Sequence, residues 1–340
     1  ATLVSLRPMR MRLWGAAIIG ICVVGLSSLL VGPSSAAPRP PAPVAVGAFY
    51  TDTTTIGGVP TFAGITGFDR VANGRYVLIP KDSAPGRFFT GSIRYASGVG
   101  GFQSTGIDGG APILGPGNLP LLPGAAQFEG IRRAGSGYVV VSGGAQPFVR
   151  LIGSIGLYGR DLPLPSAWRP AKNTGLDPRR GLTGVAVGPG GQISVLTAGG
   201  LRQDPANAAR LLTFGRTNPE FTYRTDRDTR AADILAINAT DYLVLERGAG
   251  RVTRIFFTTT RGADRVTGKS RLTGQEKAMP KRLIFSSSGV PRLNTGNMSG
   301  LAWGNWQPDL PWQRYRARTL FVITDDAVTR VHSFEVHLPR

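Results

Sequence analysis

Cysteine and histidine are almost missing from this 340-residue chain: it carries one cysteine, Cys22, and two histidines, His332 and His337. Cys22 falls in an N-terminal leader described below. The rest of the chain can form no disulfide, use no thiol nucleophile and build no thiolate metal site. Its stability must come from packing and strand pairing. With both histidines in the last strand of the chain, Ser-His-Asp hydrolysis or a histidine zinc centre is very hard to assemble. No Gly-x-Ser-x-Gly elbow is present either. Gly262 to Ser270 ends Gly268-Lys269-Ser270, but five residues separate the two glycines rather than four and no helical pattern follows, which rules out a phosphate loop. Long helices are excluded by 47 glycines and 26 prolines, which interrupt the chain too often. Acids are also scarce, with 20 Asp and Glu against 39 Lys and Arg.

What is present begins with a single long apolar run. Arg7, Arg10 and Arg12 precede Leu13 to Val31, and Pro33-Ser34-Ser35-Ala36 offers a small-residue cleavage site. Residues 1–36 therefore read as a secretory signal, and the protein is expected to be secreted or held in the cell envelope. The run is long enough to span a bilayer, so an uncleaved anchor is the alternative and the one expected route to membrane contact. Pro38 to Pro43 is an extended tether, giving a linker over residues 37–46 and a domain over 47–340. The leader holds three arginines and no acid, so the exported chain keeps +16 of a net charge of +19. Such a basic protein attracts polyanions: phosphorylated small molecules or acidic envelope polymers. Specific nucleic-acid binding is not expected, because the arginines are scattered and no basic helix or aromatic-basic motif accompanies them.

A phrase recurs along the chain: a Gly-centred turn into a strand, a tight turn, then a second apolar strand ending in polar residues. Its copies begin near Phe62, Phe128, Leu182, Asp233 and Met298, roughly 50 to 66 residues apart. Their second strands are Tyr76–Ile79, Tyr138–Val141, Ile193–Leu196, Tyr242–Leu245 and Thr319–Ile323. Apolar β-rich runs bounded by Gly, Pro, Asn and Asp argue for antiparallel strands, with hairpin turns at Asn73-Gly74 and Gly190-Gly191. The pattern predicts an all-β chain, a single propeller of five or six four-stranded blades acting as a monomer. Insertions at 97–127, 163–180, 262–281 and 305–318 are expected as long loops on one face. The loop from Asp309 to Arg318 is expected to pack its own aromatics, Trp312 and Tyr315.

With Cys and His excluded, chemistry falls to carboxylates, Arg and Lys. The carboxylates recur at corresponding repeat positions: Asp69 and Glu129 at first strands, and Asp82, Glu246, Asp325 and Asp326 just after second strands. Equivalent positions face one another around a propeller axis, so these acids could converge into a hard-cation site, most naturally for calcium. Alternatively they cap turns or pair with neighbouring arginines, as in Asp69-Arg70 and Glu246-Arg247.

These elements resemble the "esterase-like activity of phytase" family, a phytase-like propeller domain found in many secreted bacterial proteins. Phe62–Asp69 resembles its opening Gly-Gly-Leu-Ser-Gly-x-Asp segment, and Phe128-Glu129-Gly130-Ile131 its Glu-Gly-Ile element. Asp233–Ala236 with Leu243–Gly248, then Asn297–Ala302 and Thr324-Asp325-Asp326, complete the order. The departures are specific. Pro80-Lys81-Asp82 stands where the family usually has Ser-Asp-Asp, Ser142-Gly143-Gly144 where Asp-Glu is usual, Thr183 and Ala198 where acids are common, and Ser299 in place of Glu.

The resemblance implies hydrolysis of phosphoesters or carboxylesters. On that reading Glu129, Glu246 and Asp326 are catalytic, Asp69, Asp82 and Asp325 hold calcium, and Lys81, Arg132 and Arg247 grip phosphate. The competing reading is a non-catalytic propeller that binds an anionic envelope component or a protein partner.

Overall fold

Runs such as Tyr76–Ile79 and Tyr138–Val141 are apolar at every position, which suits a strand buried on both faces rather than one. That is where they lie in a computed structural model of the chain. The structure describes residues 46–57, 59, 61–82, 85–98, 100–290 and 295–340. The chain divides into two units, Ala1–Ala42 and Pro43–Arg340. The signal and most of the Pro-rich tether lie outside the described residues.

Five four-stranded antiparallel sheets form the domain. The first blade runs β2 (Ile65–Ala72), β3 (Arg75–Pro80), β4 (Arg87–Ala96) and β5 (Gly101–Pro112) from the inner strand outward. The second is β6 (Phe128–Ala134), β7 (Gly137–Ser142), β8 (Phe148–Ile152) and β9 (Tyr158–Leu162). The third is β10 (Leu182–Val187), β11 (Ile193–Thr197), β12 (Ala208–Thr213) and β13 (Glu220–Arg224). The fourth is β14 (Thr229–Ala236), β15 (Asp241–Gly248), β16 (Thr253–Thr259) and β17 (Lys281–Ser286). The fifth takes β18 (Met298–Trp306), β19 (Tyr315–Thr324) and β20 (Arg330–Pro339) from the C-terminus, and its outer strand is β1 (Gly47–Thr55) from the start of the domain. Pairing of β1 with β20 closes the ring, so the propeller leaves no fifth-blade edge at β20. The blade number, left at five or six by the sequence, is five.

The core is a set of seams between blades. Along β3, Tyr76 and Leu78 pack toward the fifth blade, while Val77 and Ile79 pack toward the second. Along β7, Tyr138 and Val140 face the first blade and Val139 and Val141 the third. Along β15, Tyr242 and Val244 face the third blade and Leu243 and Leu245 the fifth. Each middle strand thus serves two seams, which is why no polar alternation shows in its sequence.

The insertions do not share one face. Residues 113–127 and 163–181 join an outer strand to the next inner strand, on the face where the inner strands begin. Residues 260–280 and 307–314 turn on the opposite face, since adjacent antiparallel strands reverse direction. In the last of these loops Trp312 is 75% exposed. Tyr315 stacks instead on His337, with ring centroids 3.8 Å apart.

Candidate functional site

Every inner strand carries an irregularity at the same place. Pairing with the second strand skips Thr66, Glu129, Thr183, Ala232 and Ser299 in the five blades. A bulge of this kind re-aims the side chain it leaves unpaired. Three of the five are hydroxyl residues that donate to the neighbouring blade: Thr66 to the Phe128 carbonyl at 2.8 Å, Thr183 to Ala232 at 3.2 Å and Ser299 to Ile65 at 2.6 Å. Thr183 and Ser299, standing where acids are usual, therefore tie inner strands together. Only Glu129 brings a charge to this level.

One residue further along stand Gly67, Gly130, Gly184, Asp233 and Gly300. A Cβ at Gly67 would lie 2.8 Å from the Gly130 Cα, so glycine is what lets the strands approach. Asp233 replaces the fifth glycine and meets Arg132, Nη2 to Oδ2 at 2.8 Å. Arg132 also donates to the carbonyls of Phe68 at 2.6 Å and Ile234 at 2.9 Å. Asp233 accepts the Leu301 N–H at 2.7 Å and the Ile234 N–H at 2.8 Å. Burial pushes the Asp233 carboxyl up to about 6, against the downward pull of Arg132 and these backbone donors. The pair stops the axis like a cork, with Arg132 1% exposed. Arg132, expected to grip phosphate, is instead spent inside the ring.

The cork separates two mouths. The first, where the inner strands begin, is a cavity of about 280 Å³ lined by residues of four blades. Lys81, Arg179, Arg230 and Arg247 bring four cations to it, and Glu129 is its single lining carboxylate. Lys81 pairs with Glu129 at 3.1 Å. Burial nonetheless raises the Glu129 carboxyl above its ordinary range, opposed by Lys81 and by Arg247 and Arg230. Arg247 is fixed by Asp325, Nη1 to Oδ2 at 3.1 Å, and Asn297 donates to the same carboxylate. Among the described residues the buried Arg247 Nε has no hydrogen-bond partner. Arg230 has no carboxylate within ion-pair distance among the described residues. Glu129, Lys81 and Arg247 thus meet at this mouth, with Asp325 behind Arg247. Arg179 and Arg230 were missed. Arg230 lies three residues before Asp233, where the fourth repeat begins, and that proximity was the available signal.

The other predicted residues lie elsewhere. Glu246 is fully buried in the seam between the third and fourth blades. Its carboxylate accepts from Tyr223 at 2.6 Å, Lys281 at 2.7 Å and the Asp226 N–H at 3.0 Å, and from the Thr229 hydroxyl. Asp326 caps the turn at Asn297, accepting its N–H at 3.0 Å, and pairs with Arg330 at 3.5 Å. Asp82 is exposed on the bend after β3. Asp69 lies at the far end of its strand, level with Arg133, whose N–H it accepts at 2.8 Å. Four residues of strand, about 13 Å, separate that level from Glu129. Calcium takes six to eight oxygens at one point. Among the described residues no three of His, Cys, Asp or Glu converge to hold a metal. Asp69, Asp82 and Asp325 therefore do not fit a shared calcium site.

A larger cavity, about 660 Å³, lies against β5 and is lined mainly by Phe88, Phe89, Ile107 and small residues. It lacks the convergent charge of the mouths.

A family model described as "Phytase-like: Esterase-like activity of phytase" matches residues 60–327. The chain belongs to the phytase-like family. That match takes in all five inner strands, both mouths and the axial pair. No curated protein matches. Solved structures with similar folds include the Dos1 propeller, at 12% identity and TM-score 0.34, covering 79% of this chain and 67% of that one. The RRP9 WD40 repeats are 11% identical at TM-score 0.34, covering 87% and 86%. A Lactobacillus plantarum protein is 12% identical at TM-score 0.33, covering 81% and 85%.

Proposed function

We propose that this phytase-like propeller binds a phosphorylated small molecule or acidic envelope polymer at the mouth formed by Lys81, Glu129, Arg179, Arg230 and Arg247. The observation that carries this reading is Arg230, which lines this concave site with no carboxylate within ion-pair distance among the described residues, whereas Lys81, Arg179 and Arg247 pair with Glu129, Asp177 and Asp325. Among the described residues the buried Arg247 Nε has no hydrogen-bond partner, so the Arg247 guanidinium at the wall of the site is not fully satisfied. Arginine and lysine grip phosphate through charge-assisted hydrogen bonds, and four of them converge here. The N-terminal apolar segment supports export, with the domain working in the envelope or outside the cell.

A second reading, phosphoester hydrolysis, is favoured by one observation. Burial holds the Glu129 carboxyl above its ordinary range while Lys81 sits 3.1 Å away. Such a carboxyl suits general acid or base work beside a bound phosphate. Glu246 and Asp326 have no place in that step, and no calcium is invoked.

Titration of phytate into the full chain tests the binding site. Arg230→Gln and Arg247→Gln each weaken binding by about tenfold or more, the worth of one charge-assisted hydrogen bond. Undiminished binding in both variants would overturn the site. Glu129→Gln tests the second reading: binding persists, and turnover of p-nitrophenyl phosphate disappears if Glu129 is the acid or base.

A further inference from the structure

The opposite mouth is also built for an anion. Where the inner strands end, a cavity of about 330 Å³ is lined by Asp69, Arg70, Arg133, Trp303 and Arg318 together with the turn at Val71–Asn73. Three guanidiniums face one carboxylate, and among the described residues none of the three has a carboxylate within ion-pair distance. Their existing contacts hold the side chains in place while leaving most donors unused. Arg133 gives Nη1 to the Val71 carbonyl at 2.6 Å, and Arg318 gives Nε to the Gly304 carbonyl at 3.3 Å. Arg70 is anchored by Nε to the Ala72 carbonyl at 3.2 Å and by Nη2 to the side chains of Asn305 at 2.5 Å and Asn73 at 3.4 Å.

Arg318 is flanked by two indoles. Its guanidinium lies 4.7 Å from the Trp303 ring and 5.0 Å from the Trp306 ring, so indoles rather than water cover it. Burial, and then repulsion from Arg70, bring its pKa down to about 10. Burial likewise raises the Asp69 carboxyl, against Arg132 and the N–H of Arg133. A cavity that concentrates like charge with only one carboxylate to offset it gains by taking an anion from outside. With Asp69 ionised, the three arginines leave two positive charges to neutralise, which matches a dianion better than a single carboxylate. The axial Arg132–Asp233 pair keeps this cavity separate from the first mouth.

We propose that Arg70, Arg133 and Arg318, with Trp303 as the wall, form a second, independent site for a phosphate dianion, free or as the headgroup of a phosphomonoester. The site does not depend on the reading of the first mouth.

The test is calorimetric titration of the full chain with inorganic phosphate, in parallel with sedimentation on phosphatidylcholine vesicles with and without phosphatidic acid. Arg318→Gln disturbs the indole stack and could unfold the blade, so the variants are Arg70→Gln and Arg133→Gln, whose side chains lie toward the surface. Each lowers phosphate affinity at this mouth by about tenfold, while Arg230→Gln at the other mouth leaves that component intact. Saturable binding of free phosphate, or retention by phosphatidic acid alone, supports the site when it is lost in Arg70→Gln and Arg133→Gln. Phosphate and lipid binding that these two variants leave at wild-type strength overturns it.

Discussion

Arg132 is charged, long and placed beside a motif glutamate, yet its side chain is sealed into the ring. Neutralising a buried partner is costly because the remaining ion keeps its desolvation penalty. Arg132→Met should therefore lose about 3–5 kcal/mol in denaturant unfolding. Adding Asp233→Leu should recover much of that loss, since no ion is then stranded. His332 carries the pH dependence at this scale. It is fully buried, and its Nδ1 meets the Thr53 hydroxyl across β1 and β20. Burial brings its pKa down to about 4 from 6.5. The folded state thus binds fewer protons than the unfolded chain between those values. Stability is complete above pH 6.5, falls as pH drops toward 4, and levels off below, a total of about 3 kcal/mol. The difference in unfolding free energy between the wild type and His332→Gln isolates this contribution from the carboxylates. A difference that does not change between pH 7 and pH 4 would remove it.

At the scale of elements, the middle strands were legible because they serve two seams. A run such as Tyr242–Leu245 has no polar face to lose, so Leu245→Ala should cost about 2–5 kcal/mol in denaturant unfolding. The inner strands were legible through their glycines, and Gly67→Ala should cost about 1–3 kcal/mol, because its Cβ would press on the Gly130 backbone. Strand β1 was not legible. Gly47–Thr55 is rich in threonine and mostly half-buried, with none of the apolar spacing of the repeats. Its partner β20 lies almost 300 residues away, and only ring closure defines the pairing. The candidate site was legible in the same partial way. Repeat-equivalent positions give a level along the axis, which singles out Glu129, while Lys81 and Arg247 stand out only by lying next to motif carboxylates. Such positions do not give the direction a side chain takes from that level. Glu246 turns into a seam, Asp326 back onto its own turn, and Asp69 belongs to the other end of its strand. The bulges decide the aim, and they are a property of strand pairing between segments far apart in sequence.

For the whole molecule, closure of the axis is the governing fact. The ring presents two basic mouths rather than one acidic channel, because hydroxyls and glycines occupy most positions where carboxylates would gather. Calcium should accordingly leave the melting temperature of the full chain unmoved relative to chelator, since a ligand stabilises only the state that binds it. A clear rise with calcium would restore a metal site. The basic surface also makes anion binding depend on salt, through screening at a Debye length of about 8 Å near physiological ionic strength. The most direct measurement is a calorimetric titration of phytate into the full chain at low and physiological salt, repeated with the double variant Arg230→Gln, Arg247→Gln. The account predicts saturable binding in the wild type that weakens with salt and collapses in the double variant. Absence of binding at low salt, or binding that the double variant retains in full, would contradict it.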